Sequence, residues 1–297
     1  MSWISDQNLD RLRAAAAWPE LAARYEITGV AGRGGMGTVY IARDQVLDRE
    51  VAVKVLDVAD QKGSRAVRLT REAHILARLD HPGMVPIHDA GVLPDGRAFY
   101  VMKLVRGRRL DEVLAGPATQ ALRLDLFLRV IEAVAFAHAH GIVHRDLKPE
   151  NIMAGAFGEV FVMDWGVAQD GAADAEPAIV GTPGFMPPEQ AGARAVDGRA
   201  DVFALGAVLA QMLRRDTSPA LVAIATKAQH PDPRSRYQTV EQLAADIARF
   251  RNQEPVSAYR ESPFERLLRF YRRYELPVLL LLAYVLMRFV LLVVTGL

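Results

Sequence analysis

The string from 144 to 151, His-Arg-Asp-Leu-Lys-Pro-Glu-Asn, places a carboxylate, an ammonium group and an amide close together. Further along the chain, Asp164 stands in Met-Asp-Trp-Gly. Asp146 can accept a proton from an attacking hydroxyl, and Lys148 can neutralise a phosphoryl group in transfer. Asn151 and Asp164 offer hard oxygen ligands for Mg²⁺. Both strings in this order predict phosphoryl transfer.

A glycine-rich loop lies upstream of these residues. Gly32, Gly34, Gly37 and Val39 form a Gly-x-Gly-x-x-Gly-x-Val pattern, in which glycines let backbone N–H groups approach phosphates without Cβ clashes. Dinucleotide-binding folds use the same spacing, but they start a helix at the third glycine. β-Branched and aromatic residues follow Gly37, which favours a second strand. A dinucleotide site is therefore the weaker alternative.

Hydrophobic periodicity divides the chain into two parts. Strand-like patterns occupy 25–55, 84–92 and 97–104, interrupted by an amphipathic helix over 65–79. Val67, Ile75, Leu76 and Leu79 form the predicted apolar side of that helix. After Gly107 the predicted elements are helices, at 110–115, 122–140, 202–214, 219–229 and 239–250. The pattern predicts an α+β fold of two lobes, with a cleft near 105–107.

Composition limits the range of functions. The 297 residues contain 36 Lys+Arg and 35 Asp+Glu, so bulk charge gives no argument for nucleic acid as a partner. The absence of cysteine excludes disulfides and thiol catalysis, and it fits a reducing compartment. The N-terminal residues lack the pattern of a secretory signal.

With these motifs, the chain resembles the bacterial eukaryotic-type (Hanks-type) serine/threonine protein kinases over residues 25–250. The resemblance implies a bilobal kinase fold that transfers the γ-phosphoryl group of ATP to protein hydroxyls with Mg²⁺. The expected divisions are an N-terminal helical extension (1–24), a β-rich N-lobe (25–105), a helical C-lobe (106–255), a basic juxtamembrane segment (256–275) and a transmembrane helix (276–297).

The resemblance also assigns roles to single residues. It implies that Lys54, which ends Val-Ala-Val-Lys, pairs with Glu72 on the 65–79 helix. It makes Asp146 the catalytic base and places Lys148 at the γ-phosphate, with Asn151 and Asp164 on the metal. The implied adenine contacts are Val39 and Ala52 above the ring, Met153 below it, Met102 at the back of the pocket, and the backbone of Lys103 and Val105 at the ring edge.

The three histidines His138, His140 and His144 could suggest a metal site. No further cysteine or carboxylate cluster supports zinc, so we interpret all three as structural. We expect His144 to pack against Trp165, which stands where the family normally has Phe.

The activation segment departs from the family pattern, because no Ser, Thr or Tyr occurs between Asp164 and Gly181. Related kinases often phosphorylate a hydroxyl there, and the phosphate pairs with the arginine that is Arg145 in this chain. The acids available locally are Asp170, Asp174 and Glu176. Our hypothesis is that one of them replaces the phosphate. Thr182 matches the threonine that shapes the substrate groove.

A second departure is a shortening of the C-lobe. Arg236 matches the arginine that pairs with Glu189, and Asp201 starts the long buried helix. The stretch from Asp201 to Arg236 has room for one further helix rather than two. The missing element resembles the exposed helix on which kinases often dock protein substrates, so docking should differ while the chemistry is retained.

Residues 276–297 form an almost continuous apolar segment. As a helix it would be about 33 Å long, enough to cross a hydrocarbon layer of about 30 Å. Arg288 near its centre costs about 2.5–3.5 kcal/mol, whereas the Leu, Val and Phe residues together gain about 4.5–9 kcal/mol. The sum favours insertion. The alternative is an apolar helix packed on the C-lobe or in a dimer.

The flank of this segment predicts its orientation. Arg266, Arg269, Arg272 and Arg273 precede it, and positive charge stays on the cytoplasmic side. We therefore expect a single-pass, C-terminally anchored protein of the cytoplasmic (inner) membrane, with its catalytic lobes in the cytoplasm. Because an ionisable residue inside a membrane usually has a partner, Arg288 suggests either self-association through the transmembrane helix or contact with another membrane protein.

Two other functions compete with a membrane-anchored protein kinase. One is a kinase-like scaffold (pseudokinase) that holds nucleotide and acts through contacts. The presence of all the polar residues expected for catalysis argues against it. These residues are Lys54, Glu72, Asp146, Lys148, Asn151 and Asp164. The other is a kinase for a small molecule, which is disfavoured by the segment from Gly181 to Glu189 because it resembles a peptide-binding platform.

Overall fold

The computed structural model describes most of the two predicted lobes. The described residues are 19–21, 23–34, 37–57, 64–165, 168–170, 181–213, 217–266, 279–280, 283–288 and 290–291. Most of the predicted N-terminal helical extension (1–24) lies outside them.

A five-stranded antiparallel sheet forms the N-lobe, in the order β1-β2-β3-β5-β4. The strands are β1 (Tyr25–Gly34), β2 (Gly37–Asp44), β3 (Arg49–Val55), β4 (Ile87–Val92) and β5 (Ala98–Lys103). Alternation along β3 sends Val51, Val53 and Val55 to the outer apolar cluster, while Ala52 joins the cluster beneath the sheet. Lys54 shares the face of Ala52, so the sheet directs it toward the cleft.

Helix α1 (Ser64–Arg78) packs against β5 and β4 on this inner side. Leu69, Glu72, Ala73 and Leu76 form its buried stripe at helical spacing. The prediction that Val67 belongs to the apolar side is wrong, since this side chain is 64% exposed. Val67 precedes Leu69 by two residues, which turns it about 200° around the helix from the buried stripe.

The C-lobe is built around two buried helices. Its elements are β6 (Gly107–Arg109), α2 (Leu110–Ala115), α3 (Gln120–Ala139), β7 (Ile142–Val143), β8 (Ile152–Gly155), β9 (Val160–Val162), β10 (Gln169–Asp170), α4 (Pro188–Ala191), α5 (Arg199–Met212), α6 (Pro219–Ala228) and α7 (Val240–Arg251). Apolar residues of α3, such as Phe127, pack against residues of α5, such as Leu205, in one core cluster. Thr119 and Thr239 cap α3 and α7 with their side chains, which fixes where these helices begin.

Among the described residues, α6 is the one α-helix between α5 and Arg236, as the short spacing predicted. The two helices approach closely because Gly206 lacks a side chain. A Cβ atom on Gly206 would lie 2.6 Å from the Cβ of Ala228.

The C-terminal segment is helical at 279–280, 283–288 and 290–291, and the rest of the predicted span 276–297 lies outside the described residues. Within the part of the chain that the structure describes, no helix has the length and apolar character needed to cross a membrane.

A buried carboxylate at the start of α5 connects three parts of the C-lobe. Asp201 is fully buried, and its Oδ2 accepts the backbone N–H of His144 at 2.8 Å. Its Oδ1 accepts the backbone N–H of Arg145 at 2.9 Å, and His138 Nε2 lies 2.8 Å from Oδ2. Burial acts to raise the pKa of Asp201, but His138 and the backbone donors outweigh it and lower this pKa. Asp201 therefore joins α3, α5 and the segment that carries Asp146.

The pairing of His138 with Asp201 predicts a pH-dependent stability. Burial acts to lower the pKa of His138, but Asp201 outweighs it and raises this pKa above the usual 6.5. The pair's contribution is thus complete below pH 6.5 and is lost as pH rises through the folded-state pKa. In denaturant titrations, the difference in unfolding free energy between the wild type and His138→Gln should shrink as pH rises above 6.5. A difference that stays constant across this range would refute the pairing.

Candidate active site

The catalytic loop follows β7 and is held by its backbone. Asp201 accepts the two successive N–H groups of His144 and Arg145, and Arg145 adopts a left-handed conformation with φ of 70°. The backbone N–H of Asp146 donates to His144 Nδ1 at 3.3 Å. A left-handed conformation is strained for a non-glycine residue, so the buried contacts of Asp201 are needed to maintain it.

Two side chains, those of Lys148 and Thr182, converge on the carboxylate of Asp146. Lys148 Nζ lies 3.0 Å from Asp146 Oδ2 and 2.7 Å from Thr182 Oγ1. The Thr182 hydroxyl donates to Asp146 Oδ1 at 2.8 Å. The structure thus brings the predicted base, its cationic neighbour and the groove-shaping threonine into one hydrogen-bonded triangle.

The two predicted metal ligands lie beside this triangle and line the same cleft. Asn151 Nδ2 donates to the backbone carbonyl of Asp146 at 2.9 Å, an orientation that leaves its amide oxygen directed elsewhere. Asp164 has a left-handed backbone, with φ of 59°, and its side chain is 44% exposed. Mg²⁺ typically takes one or two protein oxygens and completes its shell with water and substrate phosphates. This pair of oxygen donors fits that requirement.

The three histidines have separate partners, as a structural role requires. His138 contacts Asp201, and the Nδ1 of His140 lies 2.8 Å from the carbonyl oxygen of Phe136. The ring of His144 lies 4.5 Å from that of Trp165. Across the residues that the structure describes, no cluster of three or more His, Asp or Glu side chains could hold a metal ion.

An ion pair between β3 and α1 lies on the N-lobe side of the cleft. Lys54 Nζ lies 2.9 and 2.8 Å from the two carboxylate oxygens of Glu72, and 3.4 Å from Asp164 Oδ1. Burial raises the pKa of Glu72, although Lys54 opposes the shift. Burial acts to lower the pKa of Lys54, but the charges of Glu72 and Asp164 outweigh it and raise this pKa. Lys54 is thus a cation held between the two lobes.

The glycine loop is a β-hairpin between β1 and β2, with Gly34 paired to Gly37. Gly37 begins a strand, so the alternative of a dinucleotide site with a helix at the third glycine is wrong. A Cβ atom on Gly37 would lie 2.2 Å from the carbonyl oxygen of Val55, and no side chain fits there. This glycine lets β2 lie directly against the end of β3.

The cleft between the lobes has a volume of about 440 Å³. The predicted residues that line it are Gly32, Gly34, Gly37, Val39, Lys54, Glu72, Met102, Asn151 and Asp164. Of the other predicted adenine contacts, Ala52 and Val105 pack in the apolar cluster that includes Met102 and Val39. Lys103 places its ammonium 4.9 Å from the ring centroid of Phe161, and Met153 pairs with Phe161 between β8 and β9.

Several lining residues were not predicted from the sequence. They are Arg33, Leu76, Val85, Tyr100, Arg109, Glu150, Val162 and Met163. Tyr100 could not be identified from the sequence, because only the register of β3 and β5 places it directly opposite Lys54. Arg33, Glu150 and Met163 adjoin predicted motif residues, and the remaining positions gave no signal of a site in the sequence.

Trp165 is a buried anchor beside Asp164. Its side chain is 1% exposed, and its indole N–H donates to the carbonyl of Val162 at 3.1 Å. A phenylalanine at this position could not make this bond. The additional bond favours the conformation in which Asp164 faces the cleft.

Arg145 lacks one hydrogen bond within the described part of the chain. Its Nε is buried without a hydrogen-bond partner there, and burial lowers the pKa of Arg145 although the charge of Asp201 opposes the shift. Asp174 and Glu176 lie outside the described residues, and Asp170 belongs to β10, paired with Ile142. That an acid replaces a phosphate at Arg145 stays a prediction.

The segment from 181 to 189 is tied to the C-lobe at its far end. Glu189 accepts two bonds from Arg236, at 2.6 and 2.8 Å, in a buried pair. Arg236 also donates to backbone carbonyls of His230 and Arg199. These donors and acceptors satisfy the buried charges, so the pair fixes the segment that carries Thr182.

Comparison with known proteins agrees with this geometry. Residues 25–257 match the protein kinase domain family. The serine/threonine-protein kinase PknB of Mycobacterium tuberculosis is 36% identical over 279 residues, which cover 80% of this chain and 44% of PknB. The kinase PknD of Chlamydia caviae is 32% identical over 287 residues, which cover 75% of this chain and 31% of PknD. The chain thus spans less than half the length of these relatives.

Among solved structures, the kinase domain of Mycobacterium tuberculosis PknI has a similar fold. The TM-score is 0.62 at 25% sequence identity, and the match covers 78% of this chain and 98% of that domain.

The triangle around Asp146 predicts that the Thr182 hydroxyl is required for efficient phosphoryl transfer. Thr182→Val keeps the shape of the side chain but removes both hydrogen bonds. We expect the rate to fall by about tenfold or more, since each bond to a charged group contributes about 1.5–3 kcal/mol. Thr182→Ser keeps the hydroxyl and should retain most of the activity. Equal rates for the Val and Ser variants, measured as initial velocities at saturating ATP, would contradict this role.

Proposed function

The chain belongs to the protein kinase family, and from this premise we propose that it transfers the γ-phosphoryl group of ATP, as its Mg²⁺ complex, to serine or threonine hydroxyls of proteins. The observation that carries the proposal is the 3.4 Å contact between Lys54 and Asp164. It brings phosphate-binding and metal-binding groups of different lobes to one cleft. The relatives PknB and PknD are serine/threonine-protein kinases by name, which supports the choice of substrate hydroxyl.

The proposed mechanism assigns a task to each polar group around the cleft. Asp146 accepts the proton of the substrate hydroxyl, and Thr182 and Lys148 orient its carboxylate. Lys148 also neutralises charge on the phosphoryl group during transfer. Lys54, held by Glu72, binds the nucleotide phosphates. Asn151 and Asp164 would hold the metal ion, which supplies charge neutralisation at the phosphates.

A nucleotide-binding scaffold without catalysis is the second candidate, because the C-lobe is shortened after α5. The site geometry disfavours it. A scaffold has no need for an oriented proton acceptor. In this site, however, hydrogen bonds hold both carboxylate oxygens of Asp146 in a fixed orientation.

We further infer that activity does not require phosphorylation of the activation segment. No hydroxyl residue occurs between Asp164 and Gly181, so the usual modification cannot occur there. Arg145 has a buried Nε that lacks a partner among the described residues, and an acid of the segment would satisfy it.

We also propose that the C-terminal segment anchors the protein in the cytoplasmic membrane, with the lobes in the cytoplasm. The described apolar side chains of the segment are exposed, including Leu280, Leu286 and Val290. Exposed apolar side chains support burial in lipid over packing on the C-lobe. Arg288 is also exposed, and we propose that in the membrane it contacts a second copy of the segment.

Catalysis by Asp146 predicts the effect of a neutral replacement. Asp146→Asn should lower transfer of labelled phosphate from ATP to a generic basic protein by about a hundredfold or more, because the proton acceptor is lost. ATP binding, measured by calorimetry, should remain. Asp125→Asn serves as the control, since Asp125 pairs with Arg251 at the surface. Transfer that is absent in the wild type under varied metal and pH conditions would favour the scaffold.

Membrane anchoring predicts that charge in the segment will release the protein. Two substitutions, Val285→Lys and Leu286→Lys, each cost about 2.5–3.5 kcal/mol and together oppose insertion. In detergent-free fractionation, the wild type should sediment with membranes at high salt and the double variant should not. Val92→Lys, at an exposed apolar position of the N-lobe, is the control and should sediment like the wild type. Wild-type protein in the supernatant would end the membrane proposal.

A further inference from the structure

Gln190 connects α4 to the loop that carries Asp146. Its side chain is 1% exposed, and its Nε2 donates to the backbone carbonyl of Arg145 at 2.7 Å. The neighbouring Glu189 pairs with Arg236, so α4 has an anchor of its own in the C-lobe. The amide of Gln190 is therefore a donor that approaches the catalytic loop from a fixed position.

The carbonyl that Gln190 contacts belongs to the peptide group between Arg145 and Asp146. The N–H of the same peptide group donates to His144 Nδ1 at the longer distance of 3.3 Å. A peptide group is planar, so a bond to its oxygen also restricts the orientation of its N–H. Gln190 makes the shorter of these two bonds, and it thereby helps to set where the backbone of Asp146 begins.

This bond acts on a strained residue. Arg145 has a φ of 70°, and Asp201 accepts its N–H at 2.9 Å. A strained conformation persists where the surrounding contacts over-determine it. Asp201 and Gln190 together hold the N–H and the carbonyl of Arg145, one from α5 and the other from α4.

Gln190 also lies against the start of the segment that carries Thr182. A Cβ atom on Gly181 would lie 2.7 Å from Gln190 Nε2 and 3.2 Å from the carbonyl oxygen of Arg145. Gly181 has a φ of 121°, and the absence of a side chain there lets the amide reach this carbonyl. Because Thr182 donates to Asp146, the amide of Gln190 adjoins the residues that precede both partners of that bond.

We propose that Gln190 is a positioning residue, whose amide holds the peptide group before Asp146 and so keeps the Asp146 carboxylate in place for the substrate hydroxyl. This inference rests on the proposed function, because it assumes that Asp146 accepts the proton of a substrate. Gln190 does not line the nucleotide cleft. Its loss should therefore lower the rate of transfer more than the affinity for ATP.

The substitution Gln190→Met tests the inference, because it keeps the length of the side chain and removes the amide. We expect kcat for transfer to a generic basic protein to fall by about three- to tenfold, the loss of one hydrogen bond, while the KM for ATP changes by less than about twofold. In the Asp146→Asn background the same substitution should cause little further loss, since the group that Gln190 positions is already replaced. Gln190→Leu takes its place if the Met variant does not fold.

Gln229→Met is the matched control. Gln229 Nε2 lies 3.1 Å from the carbonyl oxygen of Gly206 and 3.2 Å from that of Ala225, where α6 approaches α5. This variant also removes a glutamine amide from backbone carbonyls of the C-lobe, but away from Asp146. It should leave kcat and the KM for ATP unchanged, and its melting temperature shows the cost in stability of such a loss.

Amide hydrogen exchange measures the positioning without any assay of activity. On the full chain, peptides that contain residues 142–148 should exchange faster in Gln190→Met than in the wild type or in Gln229→Met. The reason is that the peptide group before Asp146 has lost a donor and opens more readily.

The outcomes separate this inference from the proposed function. An unchanged kcat in Gln190→Met would overturn the inference, and so would an equal fall in Gln229→Met or unchanged exchange over 142–148. Phosphate transfer by the wild type in any of these cases would leave the proposed function intact. Faster exchange in Gln190→Met, together with a wild type that transfers no phosphate, would support the hold of Gln190 on the loop and count against the proposed function.

Discussion

The buried carboxylate of Asp201 is the constraint on which the geometry of the site depends. Its oxygens accept two successive backbone N–H groups, so the chain between them cannot rotate, and Arg145 remains in a left-handed conformation that would otherwise relax. That conformation brings Asp146 within hydrogen-bonding distance of Asn151, which lines the cleft. Because Asp201 belongs to α5, in the centre of the C-lobe core, any movement of the catalytic loop would also disturb the packing of α3 against α5.

Lys54 is a second constraint, and it acts between the two lobes as Asp201 acts within the C-lobe. It lies on a strand that is hydrogen-bonded on both sides, so its backbone is fixed by the sheet. Its ammonium meets Glu72 from α1 and Asp164 from the C-lobe. Two carboxylates that approach one another need a cation between them, and the lysine therefore favours the closed arrangement of both lobes. Trp165 reinforces this arrangement, because its indole bond holds the neighbouring Asp164 on the cleft side.

Local sequence predicted the residues that act through short motifs. The string at 144–151 and the glycine pattern could be placed because their spacing determines their geometry, and the helices of the C-lobe were placed to within a few residues. Contacts between residues that are distant in the sequence were harder to predict from the sequence. Tyr100 was missed because a tyrosine in an apolar strand resembles core, and only the pairing of β3 with β5 shows it beside Lys54. Val67 was misplaced because hydrophobicity alone does not show which side of α1 faces the sheet, and the buried side instead includes Leu69 and the polar Glu72.

The shortened C-lobe separates catalysis from substrate docking in physical terms. The catalytic loop is fixed by Asp201 and the segment before α4 by Glu189 with Arg236, and neither contact involves α6. The absence of an outer helix can therefore leave the chemistry intact, provided that α6 covers the apolar core. The close approach of α5 and α6 at Gly206 allows α6 to do so. The outer face of α6 still exposes Val222. Under the proposed function, substrate choice depends more on residues at the cleft and on the proposed membrane anchor, since an anchor raises the local concentration of partners held at the same surface.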